Sequence, residues 1–175
     1  MKILKCFLLL VAAGQLAIPA TMILQRERTL RDGHAYKFRT QPVDPYDAFR
    51  GRYVALRLEP NTVAGTNIER GATVYVTLAE GSDGFVKFAG VSRERPVGQD
   101  YLKVKAGWSN SVQLPFDRFY MEEKAAPAAE RAYREHSRQG GARDAYVIVR
   151  VRDGAGVIEN LYVAGQPIAE FARTH

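Results

Sequence analysis

The sequence has too little cysteine and histidine for a disulfide framework or a zinc site. Its single cysteine, Cys6, has no intramolecular partner. The three histidines are His34, His136 and His175, and no C-x-x-C motif accompanies them at the spacing of a zinc module. We therefore exclude a disulfide scaffold and a structural zinc site, and we expect no metal ion and no cofactor.

A strong excess of one charge is also missing. Lys and Arg together number 25 and Asp and Glu together 19, which gives a formal net charge of +6. The basic residues are spread too evenly to form the stripe of a nucleic-acid-binding protein, so we expect no nucleic-acid partner. With 175 residues, 46% of them hydrophobic, the chain has the size and composition of one folded domain with an appendage.

One long run without charge occupies the N-terminus. Residues 6–24 contain no charged side chain, and their only polar side chains are those of Gln15 and Thr21. A helix of this length rises roughly 28 Å, which is close to the hydrocarbon thickness of a bilayer. We therefore predict an N-terminal transmembrane helix, and we assign residues 1–31 to a membrane anchor with its juxtamembrane segment.

A cleaved signal peptide is the alternative interpretation of this run. Lys2 and Lys5 precede a short apolar core that small residues follow, as in a signal peptide, but cleavage after Gly14 or Ala20 fits the usual pattern poorly. A lipoprotein is disfavoured, because Cys6 precedes the apolar core. The flanking charges do not fix the orientation, and long C-terminal domains are usually exported whatever those charges are.

The rest of the chain alternates apolar and polar residues in short runs, which indicates β-strands. Val54, Leu56 and Leu58 lie on one face of a strand over residues 52–58. Glycine-rich loops indicate two hairpins, and an alanine-rich stretch indicates a helix. The predicted strands are 52–58, 73–79, 85–91, 101–107, 111–115, 144–152 and 157–163, and the helix is 127–138. We predict that residues 32–175 form a mainly β domain, a sandwich or partly open barrel with one α-helix.

A segment rich in proline and aspartate, residues 41–56, is the most unusual part of the sequence. Pro42 and Pro45 push the residues before them towards extended backbone, and Asp47 can cap a short helical turn. Gly51 can adopt the left-handed conformation that ends such a turn. We therefore predict structural roles for these four residues.

This segment resembles the signature of the GDYXXLXY family. The lead over residues 42–45 is followed by Arg50 and Gly51, and Gly51, Tyr53 and Leu56 stand at fixed positions of the eponymous motif. The resemblance implies a membrane-anchored bacterial protein. We therefore expect the domain on the periplasmic side of an inner membrane, with the membrane, through residues 6–24, and an envelope protein as its partners.

Other parts of the signature match less closely. Arg52 replaces the aspartate of the motif, and Leu58 replaces its final tyrosine. A second block, residues 117–123, resembles the family's later run of arginine and aromatic residues ending in glutamate, with Glu122 in place of a proline. The family has no established activity, so the resemblance implies a location and an architecture but no reaction.

The two blocks together predict a polar binding site, because an arginine beside a tyrosine can hold a carboxylate or phosphate in fixed geometry. In the structural alternative, Arg50 or Arg118 clamps a carboxylate of its own loop, that of Asp44 or Glu123. The predicted binding residues are Asp44, Arg50, Tyr53, Arg57, Arg118, Tyr120 and Glu123. We therefore favour a binding or accessory module of the envelope.

An envelope hydrolase of unrecognised type is the alternative function. Ser109 or Ser111 can face Lys103 or Lys105 across adjacent strands, in the layout of signal-peptidase-like enzymes. No motif supports this pair, and we interpret the serines as solvated loop residues. The carboxylate pairs Asp44 with Asp47 and Glu122 with Glu123 are typical of turns and helix starts. His136 fits a packed histidine on the predicted helix better than a base, so we assign no catalytic residue.

Overall fold

The computed structural model describes residues 2–41, 53–63, 68–122, 125–137 and 143–174. The chain is mainly β, as the sequence predicts, with sheets that form a half-barrel and with three helices. The elements are, in chain order, α1 (Lys2–Asp32), β1 (His34–Gln41), β2 (Tyr53–Ala55), β3 (Arg57–Glu59), β4 (Thr73–Glu80), β5 (Val86–Ser92), β6 (Tyr101–Ala106), β7 (Val112–Gln113), β8 (Arg118–Tyr120), α2 (Ala126–Ser137), β9 (Tyr146–Arg152), β10 (Ala155–Val163), β11 (Gln166–Pro167) and α3 (Ile168–Thr174).

Two sheets and a strand pair surround one core. The larger sheet has the strand order β11-β10-β9-β1-β3, the smaller has the order β5-β4-β6-β7, and β2 pairs with β8 alone. Strand neighbours are antiparallel throughout these sheets. Phe38 and Val147 from the larger sheet and Val76 and Leu102 from the smaller one are fully buried in a single hydrophobic cluster. The apolar faces of both sheets therefore stabilise one domain.

The predicted strand over residues 52–58 is two strands. Val54, Leu56 and Leu58 are all buried, so the predicted alternation is correct. The pairing nevertheless changes at Leu56, where the backbone N–H donates to the carbonyl oxygen of Asp117 at 2.8 Å. Before this residue β2 pairs with β8, and after it β3 pairs with β1. A period of two reports which face is buried and carries no information about the partner strand.

Both predicted hairpins are present. β4 pairs with β5, and β9 pairs with β10, each in antiparallel register. The strand predicted at 101–107 is β6, and the one predicted at 111–115 is reduced to the two residues of β7. The sequence analysis did not identify β1, β8 or β11 as strands.

The predicted helix at 127–138 is confirmed as α2, whose buried face includes Ala129, Ala132 and Tyr133. The prediction of a single helix in the domain was wrong, because α3 follows β11 at the end of the chain. This helix spans only Ile168–Thr174, too short for a clear helical period, and is fixed by burial of Ile168. Tertiary packing explains short helices of this kind better than intrinsic propensity does.

The N-terminal run lies within a single long helix, α1. Over the residues that the structure describes, no helix is both long and apolar enough to cross a bilayer, so the predicted transmembrane helix is not confirmed. Within the described part of α1, Gln15 and Thr21 and the charges from Arg26 onward interrupt the apolar sequence. Side chains from Val11 to Arg28 are all exposed.

The C-terminal end of α1 packs against the domain at the β9–β10 turn. Thr29 is buried, and Asp32 accepts a hydrogen bond from Arg152 at 2.9 Å. Gly33 alone joins α1 to β1, and a Cβ atom there would collide with the carbonyl oxygen of Thr29. The junction therefore has no room for a side chain.

Candidate functional site

The strand pair β2–β8 brings the two family-like blocks together. Tyr53 lies opposite Tyr120, and Ala55 lies opposite Arg118. The two tyrosine rings are tilted, with centroids 5.7 Å apart. Cross-strand aromatic pairs of this kind are a recurrent source of stability in antiparallel sheets. The burial of Val54 in the core fixes which side chains of β2 remain on the outer face.

Arg118 packs on this tyrosine pair. Its guanidinium carbon lies 4.9 Å from the centroid of the Tyr53 ring, a cation–π distance. The pKa of Arg118 is raised, first by a side-chain hydrogen bond with Tyr120 and then by the charges of Tyr53 and Asp117. The carboxylate of Asp117 lies 3.6 Å from the Arg118 Nε atom. The arginine therefore keeps its charge at a defined place on the surface.

We call Tyr53, Arg118 and Tyr120 the aromatic–arginine patch. Tyr120 is 62% exposed, and the Arg118 side chain is half exposed, so the patch is open to solvent. Beside it lies a cleft of about 300 Å³, which Arg26 of α1 lines together with Arg118 and Tyr120. The patch is thus next to the base of the N-terminal helix.

The other predicted site residues divide into two groups. Asp44, Arg50 and Glu123 lie outside the described residues, as do the predicted structural residues Pro42, Pro45, Asp47 and Gly51. Arg57 is described but does not join the patch. It is on β3 opposite Gln41 and lines a different cleft, together with Arg39 and Arg143.

The serine–lysine arrangement gains no support from the described part of the chain. Ser109 has a positive φ of 49° and belongs to the turn between β6 and β7, and Ser111 forms an isolated bridge with Thr62. No hydrogen bond joins either serine to Lys103 or Lys105 among the described residues. Positive φ at a non-glycine residue is a common feature of tight turns. These observations agree with the interpretation of both serines as loop residues.

His136 is half-buried between three elements. Its Nδ1 atom lies 2.6 Å from the Asp144 Oδ1 atom, and its ring packs edge-on against Phe171 of α3. The contacts hold α2, α3 and the start of β9 together. This agrees with a packed histidine. The described residues contain no group of three or more His, Cys, Asp and Glu side chains able to hold a metal ion.

Sequence reasoning missed a second histidine–carboxylate pair. The Asp100 Oδ2 atom lies 2.7 Å from His34 Nδ1 and accepts a hydrogen bond from the Tyr36 hydroxyl at 2.9 Å. Burial, followed by this hydrogen bond, raises the pKa of Tyr36. The pair joins β1 of the larger sheet to the loop before β6. No local pattern indicates it, because the partners are far apart in sequence.

Comparison with known proteins gives one match. A family model described as "GDYXXLXY protein" matches residues 15–161, which is most of the chain and includes the patch. Searches of curated proteins and of solved structures found no significant match.

Proposed function

We propose that this chain, which belongs to the GDYXXLXY family, is a membrane-attached binding or accessory module of the bacterial envelope, with its domain on the periplasmic side of the inner membrane. The aromatic–arginine patch is the observation that carries the binding role. Tyrosine and arginine dominate the energetics of protein interfaces, because they combine a large contact area with directed polar groups. The proposed partner is an envelope protein.

The shape and chemistry of the patch favour binding over hydrolysis. A hydrolase needs a nucleophile and a base that converge in a pocket. The patch instead presents a tilted pair of tyrosine rings with an arginine packed on one of them, beside a cleft of about 300 Å³. The hydrolase alternative has no comparable observation in its favour.

Membrane attachment is supported by the exposed apolar side chains of α1. Leu16, Ile18, Met22 and Ile23 are each more than 60% exposed, and the uncharged run extends from there back to residue 6. Contiguous exposed apolar surface is costly in water and marks a membrane or protein contact. Among the α1 residues whose burial the structure describes, Leu8 and residues 11–32, only the last turn, around Thr29, is covered by the domain.

Fractionation of full-length protein tests the attachment. We expect the chain to pellet with membranes and to stay there in alkaline carbonate, and a charged double variant, Leu16→Asp with Ile23→Asp, to be released. Val97→Asp is the matched control, because Val97 is 94% exposed on a loop of the domain. Release of the wild type by carbonate would contradict the proposal, as would a mature N-terminus after Ala13, Gly14 or Ala20.

Site-specific photo-crosslinking in cells tests the binding role. A photoreactive residue in place of Tyr120 should give a discrete crosslinked band that requires Arg118. The same probe in place of Val97, which is also highly exposed, should not give that band. Absence of a band at position 120, or identical bands at both positions, would rule out the patch as a specific binding surface.

A further inference from the structure

A second basic site lies at the end of β1 that is farther from α1. It is a cleft of about 790 Å³ between the last residues of β1, the edge strand β3, the end of α2 and the segment that precedes β9. Its lining residues are Arg39, Thr40, Gln41, Arg57, Glu59, Ser137 and Arg143. Among the described residues that line this cleft, three guanidiniums therefore stand against one carboxylate.

The register of β1 and β3 places four of these side chains on one face of the sheet. Arg39 pairs with Glu59, and Gln41 pairs with Arg57. Residues two apart on a strand share a face, so all four line the same side. The Gln41 side-chain amide donates a hydrogen bond to the Glu59 carboxylate. Glu59, the carboxylate among the described lining residues, therefore already accepts a hydrogen bond from a neutral donor.

Arg39 is fixed by contacts outside the cleft. Its Nη2 atom lies 3.1 Å from the Asp83 Oδ2 atom, and its guanidinium carbon lies 3.8 Å from the centroid of the Phe85 ring. The hydrogen bond to Arg39 is the main cause of the lowered pKa of Asp83. The charge of Arg39 is thus balanced, and its guanidinium forms a rigid wall of the cleft.

Arg57 and Arg143 differ from Arg39 in this respect. Neither forms an ion pair with a carboxylate in the part of the chain that the structure describes, and both are exposed. Arg143 has a left-handed backbone with φ of 52°, as Ser109 and other turn residues of this chain also have. Two guanidiniums that have no carboxylate partner among the described residues consequently line one cleft.

Side chains with hydroxyl groups lie in the lining of the cleft, at Thr40 and Ser137, and behind it, at Tyr133. The Tyr133 hydroxyl donates to the carbonyl oxygen of Gln41 at 3.1 Å, and the Thr40 hydroxyl donates to the carbonyl oxygen of Ala145 at 2.9 Å. Ser137 is only 4% exposed. Thr40 and Ser137 therefore add polar side chains to the lining of the cleft.

We propose that this cleft binds a small molecule through a phosphate group, held by Arg57 and Arg143. A guanidinium donates in a planar fork that matches phosphate oxygens, and phosphate offers enough acceptors for both arginines, whereas a carboxylate has only two oxygens to share. The volume exceeds that of a bare phosphate, so the ligand is a phosphorylated small molecule. This site is separate from the aromatic–arginine patch and needs no membrane attachment.

Binding to the purified full-length protein tests the proposal. The probes are inorganic phosphate and glycerol phosphate, and acetate is the comparison ligand with a carboxylate group. Each is titrated into the protein by calorimetry at constant ionic strength. We expect both phosphate compounds to bind, glycerol phosphate more tightly, and acetate to bind at least about tenfold more weakly. Failure of both phosphate compounds to bind, or equal binding of acetate, would overturn the proposal.

Charge-matched variants locate the site. Arg57→Gln and Arg143→Gln should each weaken phosphate binding by about tenfold or more, and Arg57→Lys should not restore it fully, because lysine lacks the fork. Arg93→Gln is the control, since it removes the same charge from an exposed loop outside the cleft. An equal loss in the Arg93 variant would show non-specific attraction and overturn the site.

A thermal melt of the same variants separates ligand binding from a structural role. If Arg57→Gln lowers the melting temperature while phosphate affinity is unchanged, Arg57 is a structural residue and the proposal is wrong. If this variant does not fold, Arg143→Gln carries the test alone. Unchanged phosphate affinity in Arg143→Gln then also overturns the proposal.

Discussion

Tyr53 lies directly opposite Tyr120 across the β2–β8 pair, and Arg118, two residues before Tyr120 on β8, packs on the Tyr53 ring. The two strands are short, and each comes from one of the blocks that resemble the family signature. Their pairing explains why both blocks are needed for one surface. The aromatic–arginine patch exists only when the chain has folded.

The first prediction separates binding from stability at Arg118. Because its side chain is half exposed and its contacts are with surface groups, Arg118→Gln should leave the free energy of unfolding nearly unchanged. The same change should abolish the crosslink at position 120. Urea unfolding measures the first effect. A loss of several kcal/mol would mean that Arg118 is a structural clamp.

The second prediction concerns Gly33. Gly33→Ala introduces a Cβ atom against the Thr29 carbonyl oxygen and near the backbone of β9, so we expect a loss of about 1–3 kcal/mol in urea unfolding. Gly14→Ala is the control, because no atom lies within 4 Å of a Cβ at that position. It should leave the domain unchanged and favour the helix by up to about 1 kcal/mol. Equal stability of the two variants would contradict the close contact between a Cβ atom at position 33 and the Thr29 carbonyl oxygen.

The third prediction is a pH dependence due to Tyr133. Burial raises the pKa of this phenol to about 12 from an ordinary value near 10. Because the pKa is raised in the folded state, the neutral phenol makes its full contribution to the free energy of unfolding below pH 10. This contribution is lost as the pH rises from about 10 to 12, by roughly 2–3 kcal/mol. Tyr133→Phe cannot ionise, so its stability should fall less over this range.

The measurement is the difference between the unfolding free energies of the wild type and of Tyr133→Phe. The ionisation of the other tyrosines affects both proteins and cancels in this difference. At neutral pH the variant should be less stable by about 1 kcal/mol, because the hydrogen bond to the Gln41 carbonyl is lost. Parallel curves for the two proteins between pH 10 and 12 would show that the phenol is not buried in its neutral form.

The fourth prediction rests on the sequence alone, since Arg50 and Gly51 lie outside the described residues. If Arg50 contacts a ligand, Arg50→Ala should impair partner capture and leave the melting temperature nearly unchanged. If it clamps a buried carboxylate, the variant should lose about 1–3 kcal/mol of stability without a binding defect. Gly51→Val should destabilise in either case, because a β-branched residue resists a left-handed backbone.

The sequence predicted local structure well and long-range pairing poorly. The alternation of Val54, Leu56 and Leu58 correctly predicts their burial, because the side of a strand on which a side chain lies depends only on the local sequence spacing. The change of partner at Leu56 depends on Asp117, far along the chain, and no local pattern encodes it. For the same reason α3, which is fixed by burial of Ile168, was missed.

The candidate sites follow the same division. The pairing of Tyr53 with the Arg118–Tyr120 strand agrees with the predicted association of the two blocks. Arg57 was grouped with them because it is close in sequence, yet the partner change at Leu56 places it beside Arg39 and Arg143. Those two arginines carried no motif. Only the register of β1 with β3 and the end of α2 could have identified them.

Gly33, the single residue between α1 and β1, determines how the domain is oriented relative to the N-terminal helix. A flexible linker would let the domain rotate and move to many distances from the N-terminal helix. A one-residue junction without room for a side chain instead makes α1 a stalk, a helix held in a fixed direction relative to the domain. The aromatic–arginine patch then stays beside the stalk, next to Arg26. The cleft that Arg57 and Arg143 line lies at the far end of β1, roughly 25 Å along the strand from the junction. Partners of the two surfaces would therefore approach at separate, constant distances from the point where the helix enters the domain.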